Sequence, residues 1–122
     1  MTRRILIVDD AAGVRRAQAA TLCAAGFEVV EAVDERDALR KLAAGRVHLV
    51  ITDAQGPSLD GVSLIRAIRE DATHRFTPVV VVTAESQGER RQEGKAAGAT
   101  GWIVKPFTPD QLLAVIRRVI GA

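Results

Sequence analysis

The sequence is short of the residues that several common functions need. A single cysteine, Cys23, excludes an internal disulfide and any multi-cysteine metal centre. Tyrosine is absent, and one Trp with three Phe brings the aromatics to only 3%. No apolar run approaches the ~18 residues that a membrane span requires. The opening MTRRILIVDD carries two arginines but meets a carboxylate pair after four apolar residues, so it does not read as a signal peptide. Neither sign of charge dominates: Lys+Arg 17 against Asp+Glu 15 leaves a formal +2. The arginines are spread along the chain (Arg15, Arg16, Arg66, Arg69, Arg90, Arg91, Arg117, Arg118), and the aromatics are few. Nucleic-acid readers usually concentrate both. Neither nucleic-acid binding nor membrane attachment is expected. A reducing, cytoplasmic setting is.

What is present is a globular profile. The 122 residues are 48% hydrophobic and 26% charged, enough for one domain spanning 1–122 and too few for two. Short apolar runs at 5–8, 27–30, 47–51, 79–82 and 102–104 alternate with amphipathic stretches. Most runs are unbroken and β-branched, as in parallel strands buried on both faces. The second, with Glu28 and Glu31, alternates and suits a sheet edge. Between the runs, residues 12–25 form an alanine-rich helix ending at Gly26, and a helix carrying Ala38, Leu39 and Leu42 ends at Gly45. Val62, Leu64, Ile65 and Ile68 mark a third helix, and the polar stretch 88–97 is the weakest. In the fifth, Leu112, Val115, Ile116, Val119 and Ile120 share a face, with Thr108 as N-cap and Pro109 at N1. Strict alternation of this kind implies an α/β fold, a parallel sheet with helices on both faces.

In such sheets ligands bind at the carboxyl ends of the strands. Those ends carry Asp9-Asp10, Thr52-Asp53, Thr83-Ala84 and Lys105-Pro106-Phe107. Singly, each has an ordinary role: an Asp caps a helix, a lysine is solvated, a threonine fills a strand. Together they bring three carboxylates, a hydroxyl and an ammonium to one rim. Carboxylates this close repel unless a cation joins them, and Mg2+ suits one or two carboxylates plus waters. A carboxylate can attack phosphorus to form an aspartyl-phosphate, with a cation and a donor on the moving oxygens. The constellation reads as a phosphoryl-acceptor site.

Over essentially its whole length the chain resembles the receiver domain of bacterial two-component response regulators. The resemblance rests on Asp9-Asp10 after ILIV, Asp53 after LVIT, Pro57 with Asp60-Gly61, Thr83-Ala84 after PVVVV, and Lys105-Pro106-Phe107. The stretches 99–107, 75–78 and 109–113 further resemble stand-alone chemotaxis regulators of the CheY type. The resemblance implies a flavodoxin-like, CheY-like fold with five parallel strands in the order 2-1-3-4-5 and five helices. It implies Asp53 as phosphoacceptor, and Mg2+ held by Asp10, Asp53 and the backbone carbonyl of Gln55, with Asp9 acting through water. Lys105 would pair with the phosphoryl group, Thr83 would hydrogen-bond it, and Trp102 would stand at the aromatic switch position. Gln55 and Glu85 occupy positions that tune hydrolysis.

The implied function is that of a single-domain response regulator without an output domain. It would take a phosphoryl group from a CheA-like histidine kinase and dock on a target such as a flagellar motor switch, acting as a monomer. It would be no enzyme beyond its own phosphorylation and dephosphorylation. Gly56 departs from the methionine usual before the proline and adds backbone freedom beside Asp53; Ala11 replaces a frequent polar residue. A phosphate sink for a kinase and a non-phosphorylated pseudo-receiver are the alternatives. A small phosphatase would need a DxD pattern and a cap, and a flavin carrier a Ser/Thr/Gly-rich loop after the first strand; neither is present. Cys23 is expected to pack as a small hydrophobe, and Phe27, Phe76 and Phe107 to anchor core or loops.

Overall fold

Aliphatic runs separated by helical stretches need cover on both faces, and the chain provides it by layering helices on either side of a sheet, most completely over its central strands. A computed structural model describes residues 2–57, 59–84 and 88–121, without the side chains of 88–90. Numbering only the strands of the main sheet, these are β1 (Arg4–Val8), β2 (Glu28–Ala32), β3 (Leu49–Asp53), β4 (Val79–Ala84) and β5 (Gly101–Lys105). They pair in parallel in the order β2-β1-β3-β4-β5. The helices are α1 (Ala12–Ala24), α2 (Glu35–Ala44), α3 (Gly61–Glu70), α4 (Gly88–Ala97) and α5 (Pro109–Ile120). A two-residue antiparallel ladder, Gln55–Gly56 with Leu59–Asp60, sits between β3 and α3.

Strand alternation sorts the core into two layers. Ile5, Ile7, Leu49, Ile51, Val80, Val82 and Ile103 join Leu22 of α1 and Leu112 and Ile116 of α5. Leu6, Val8, Val50, Val79 and Val81 face Ala38 and Leu42 of α2 and Leu64, Ile65 and Ile68 of α3. Each fully buried Leu or Ile contributes about 1.5–3 kcal/mol of transfer free energy. The edge placement expected for β2 holds, and its burial runs from exposed Glu28 to buried Ala32. The apolar run at 47–51 pairs two residues later than its hydrophobicity suggests, because β3 continues through Thr52 and Asp53 to the rim.

Helix boundaries follow local chemistry. Asp34 caps α2 by accepting from Asp37 N, Asp60 caps α3 by accepting from Val62 N and Ser63 N, and Thr108 and Gln111 form a capping box on α5. Gly26 takes a positive φ of 95°, as expected where α1 ends, and Gly98 takes 110° just after α4. Gly45 does not: its φ of −177° is extended, so α2 ends without a left-handed turn. Cys23 is exposed rather than packed, because it lies on the outer face of α1. Phe76 is 86% exposed, its ring covered on one side by the Arg75 guanidinium at 5.3 Å, whereas Phe27 and Phe107 pack against the core as expected.

Asp37 shows how a buried carboxylate holds α2 in place. Its oxygens accept from Val33 N at 3.0 Å, Arg40 at 2.5 Å and Lys41 at 3.3 Å. Burial opposes the charge, but the bonds from Arg40, Val33 and Lys41 outweigh it and hold the carboxyl below its ordinary range. A carboxyl lowered on folding stabilises above its unfolded pKa, and that stability is lost as pH falls through the folded value. Asp37→Asn is therefore expected to lose about 1–2 kcal/mol at neutral pH. In urea melts its gap from the wild type should close below about pH 4. A gap independent of pH would show that the charge is not what holds this end of α2.

Candidate functional site

The register delivers the acids to one rim. Val8 pairs with Thr52, so Asp9 and Asp53 lie one residue beyond on neighbouring strands. Asp53 pairs with Val82, and Ala84 pairs with Lys105. The carboxylates of Asp9, Asp10 and Asp53 each place an oxygen within 4.8 Å of the others. Lys105 Nζ lies 3.4 Å from Asp53 Oδ1. Thr83 is buried at the end of β4, its hydroxyl donating to Ala84 O at 3.3 Å.

Neither acid of the pair caps a helix. Ala11 is the N-cap residue of α1 and offers no side-chain bond, while Asp9 Oδ1 instead accepts from Ala11 N at 2.8 Å. Asp9 is 2% exposed, and its Oδ2 has no hydrogen-bond partner among the described residues. A buried carboxylate oxygen left this way costs free energy unless something else satisfies it. Burial pushes the Asp53 carboxyl above its ordinary range; Lys105 opposes this, and the neighbouring Asp9 charge adds to it. An orphaned acceptor among three clustered carboxylates is the chemistry a hard divalent cation satisfies, so the residues present fit Mg2+.

Two glycines shape the loop after β3. A Cβ on Gly61 would stand 2.2 Å from Asp53 O, so α3 begins hard against the backbone of Asp53. A Cβ on Gly56 would stand 2.4 Å from both Asp10 carboxylate oxygens. The sequence suggests that Gly56 loosens the backbone; its role in the structure is to make room for Asp10. Gln55 precedes it with an exposed side chain, in the ladder opposite Asp60. Glu85 lies outside the described residues.

Trp102 stands apart from the acids. It is half-buried on β5, packs against the layer under α2 and α3, and carries the Arg91 guanidinium of α4 over its ring at 4.8 Å. A cavity of about 480 Å³ lies between the ends of α2 and α3, lined by Leu39, Leu42, Ile68 and His74. None of the rim residues lines it, and its walls lack the clustered acids and lysine, so the rim is the better candidate for chemistry. No sequence motif marks the pairing of the Arg15 and Glu31 side chains at 3.0 Å beside Asp9, because their contact joins a helix to the edge strand.

Five parallel strands in this order, doubly wound and carrying an acid cluster and a lysine at their carboxyl ends, define a CheY-like α/β domain. The chain belongs to the response regulator receiver domain family, whose model matches residues 5–117. It is 41% identical to chemotaxis response regulator CheY4 of Vibrio cholerae, with a TM-score of 0.91 over 98% of this chain and 99% of that one. A putative response regulator from Chloroflexus aurantiacus gives 0.94 at 27% identity, each chain covered in full. The phosphate regulon transcriptional regulatory protein PhoB of Klebsiella pneumoniae is 37% identical over 98% of this chain. The chain spans about half the length of that relative, 52%. As a receiver domain the protein is a signalling domain of two-component systems. Among the described residues no helix is long and apolar enough to cross a membrane.

Proposed function

We propose that this protein is a response regulator that accepts a phosphoryl group on Asp53 from a histidine kinase, with Mg2+, and thereby switches its binding to a protein target. The observation that carries the reading is the cluster of buried Asp9 and Asp53 with half-buried Asp10, and Lys105 at 3.4 Å from Asp53 Oδ1. An Asp53 oxygen attacks phosphorus, the P–N bond of the donor phosphohistidine breaks, and an acyl phosphate forms. Lys105 meets the negative charge that develops on the transferred oxygens. Asp10, Asp53 and the Gln55 carbonyl would hold Mg2+ directly and Asp9 through water; the ion supplies charge neutralisation and orientation. Thr83 bonds a phosphoryl oxygen and draws its loop inward. Trp102 then repacks, altering the face made by α4, β5 and α5.

The likeness to CheY4 supports a stand-alone regulator in a chemosensory pathway, with a CheA-like kinase as donor and a flagellar motor switch as target. Scattered arginines and few aromatics support a protein target rather than nucleic acid. The protein works as a cytoplasmic monomer and catalyses only its own phosphorylation and hydrolysis. Gln55 and Glu85 set the lifetime of the phosphoryl group. The test is transfer from a phosphorylated chemotaxis-type histidine kinase. Wild type is expected to strip the kinase and gain one phosphoryl group, while Asp53→Ala leaves the kinase labelled. Equal stripping by both would overturn the assignment.

A further inference from the structure

Arg15 is the only buried lysine or arginine among the described residues, at 8% exposed. Its Nη1 donates to the backbone carbonyl of Asp9 at 2.8 Å, and its Nε donates to Glu31 Oε1 at 3.0 Å. Asp9 is held elsewhere too: its N donates to Ala32 O at 3.1 Å, and its Oδ1 accepts from Ala11 N. Ala32 adjoins Glu31, so the end of β2 grips the backbone of Asp9 directly and again through Arg15. Of the polar atoms of Asp9, Oδ2 is the one left without a protein partner among the described residues.

We propose that the Arg15–Glu31 pair is a positioning device for the cation site, fixing the Asp9 backbone so that its carboxylate stays within reach of those of Asp10 and Asp53. The proposal rests on reading the acid cluster as a Mg2+ site. A guanidinium suits the task because its planar fork serves the carbonyl and the carboxylate at once. Partners one shell out from metal-site groups commonly change metal affinity by about 10–100-fold, because they hold the inner groups in place. Charge alone acts the other way: removing only Arg15 adds net negative charge beside the acids and favours a cation. A charge-neutral removal separates the two effects.

The test is Mg2+ titration by calorimetry on the full chain, without a phosphodonor, for Arg15→Gln/Glu31→Gln and for Arg4→Gln/Glu28→Gln. The second pair also ties β1 to β2, at 2.9 Å, but at the far end of the strands. The first variant is expected to weaken Mg2+ about tenfold, and the second to leave it unchanged. The half-saturating Mg2+ for phosphorylation should rise in parallel, with the rate at saturating Mg2+ preserved. A purely structural role would not split the two in this way. Arg15→Lys, which keeps the charge but replaces the planar fork with a single ammonium, should fall between, and it decides the matter should the double variant not fold. Wild-type affinity in Arg15→Gln/Glu31→Gln or in Arg15→Lys, or equal losses in both pairs, would overturn the proposal. A wild-type protein that binds no Mg2+ would instead remove the cation-site reading, and the proposal with it.

Discussion

Replacing Lys105 with alanine is expected to slow phosphoryl transfer to Asp53 by about 100-fold, the usual scale for removing one preorganised group at developing charge. Lys105 Nζ lies beside the Asp53 carboxylate, 3.4 Å from Oδ1. It also holds the Asp53 carboxyl down against burial and the Asp9 charge. Its loss should therefore leave a smaller fraction of Asp53 ionised in the metal-free protein. Mg2+ binding should survive, because the three carboxylates remain and a competing positive charge is gone. The signature is a split: calorimetry shows Mg2+ bound, while single-turnover transfer is slow. A Lys105→Ala protein that transfers at the wild-type rate would place the charge-stabilising group elsewhere on the rim.

Gly61→Ala is expected to destabilise the fold by about 2–3 kcal/mol, at the upper end of what an added methyl costs in a packed site. The new Cβ would lie 2.2 Å from Asp53 O and 3.1 Å from Ala54 O, and both are backbone atoms that move only if the loop does. Ala54 N bonds Val82 O at 2.8 Å and Gly61 N bonds Ala54 O at 3.0 Å, so that loop is tied to β4 and to α3. For a chain of this length each kcal/mol is worth about 3–5 °C in melting temperature. Gly56→Ala meets a neighbour almost as close but a different outcome. There the obstructing atoms are the Asp10 carboxylate, at 2.4 Å, which can swing away on two torsions. It should melt within a few degrees of the wild type. Similar melting losses in both variants would contradict the distinction between backbone and side-chain obstruction.

Most of the fold was legible because most strands are unbroken aliphatic runs and most helices carry a face or a cap. The edge position of β2 followed from Glu28 and Glu31, and the capping of α5 from Thr108 and Pro109. The strand order and individual site roles came from the family resemblance, since alternation alone leaves the order of parallel strands open. The convergence of Asp9, Asp10, Asp53 and Lys105 was legible because every parallel strand ends on the same rim. What escaped depends on through-space contacts. Gly56 gave no sign that Asp10 rests against it, Arg15 none that it spans α1 and β2, and Cys23 none that its helix turns it outward. The glycine after α2 looks in sequence like a left-handed cap, but its φ is extended because α2 ends without that turn.

The central claim is that Asp53 takes a phosphoryl group with the help of a divalent cation. The most direct measurement is intact mass after incubation with Mg2+ and a small phosphodonor, beside a chelator control and Asp53→Ala. The account predicts the mass of one phosphoryl group on the wild type alone, abolished by the chelator. Gain of that mass by Asp53→Ala, or no gain by the wild type from either small donors or phosphorylated kinases, would contradict it.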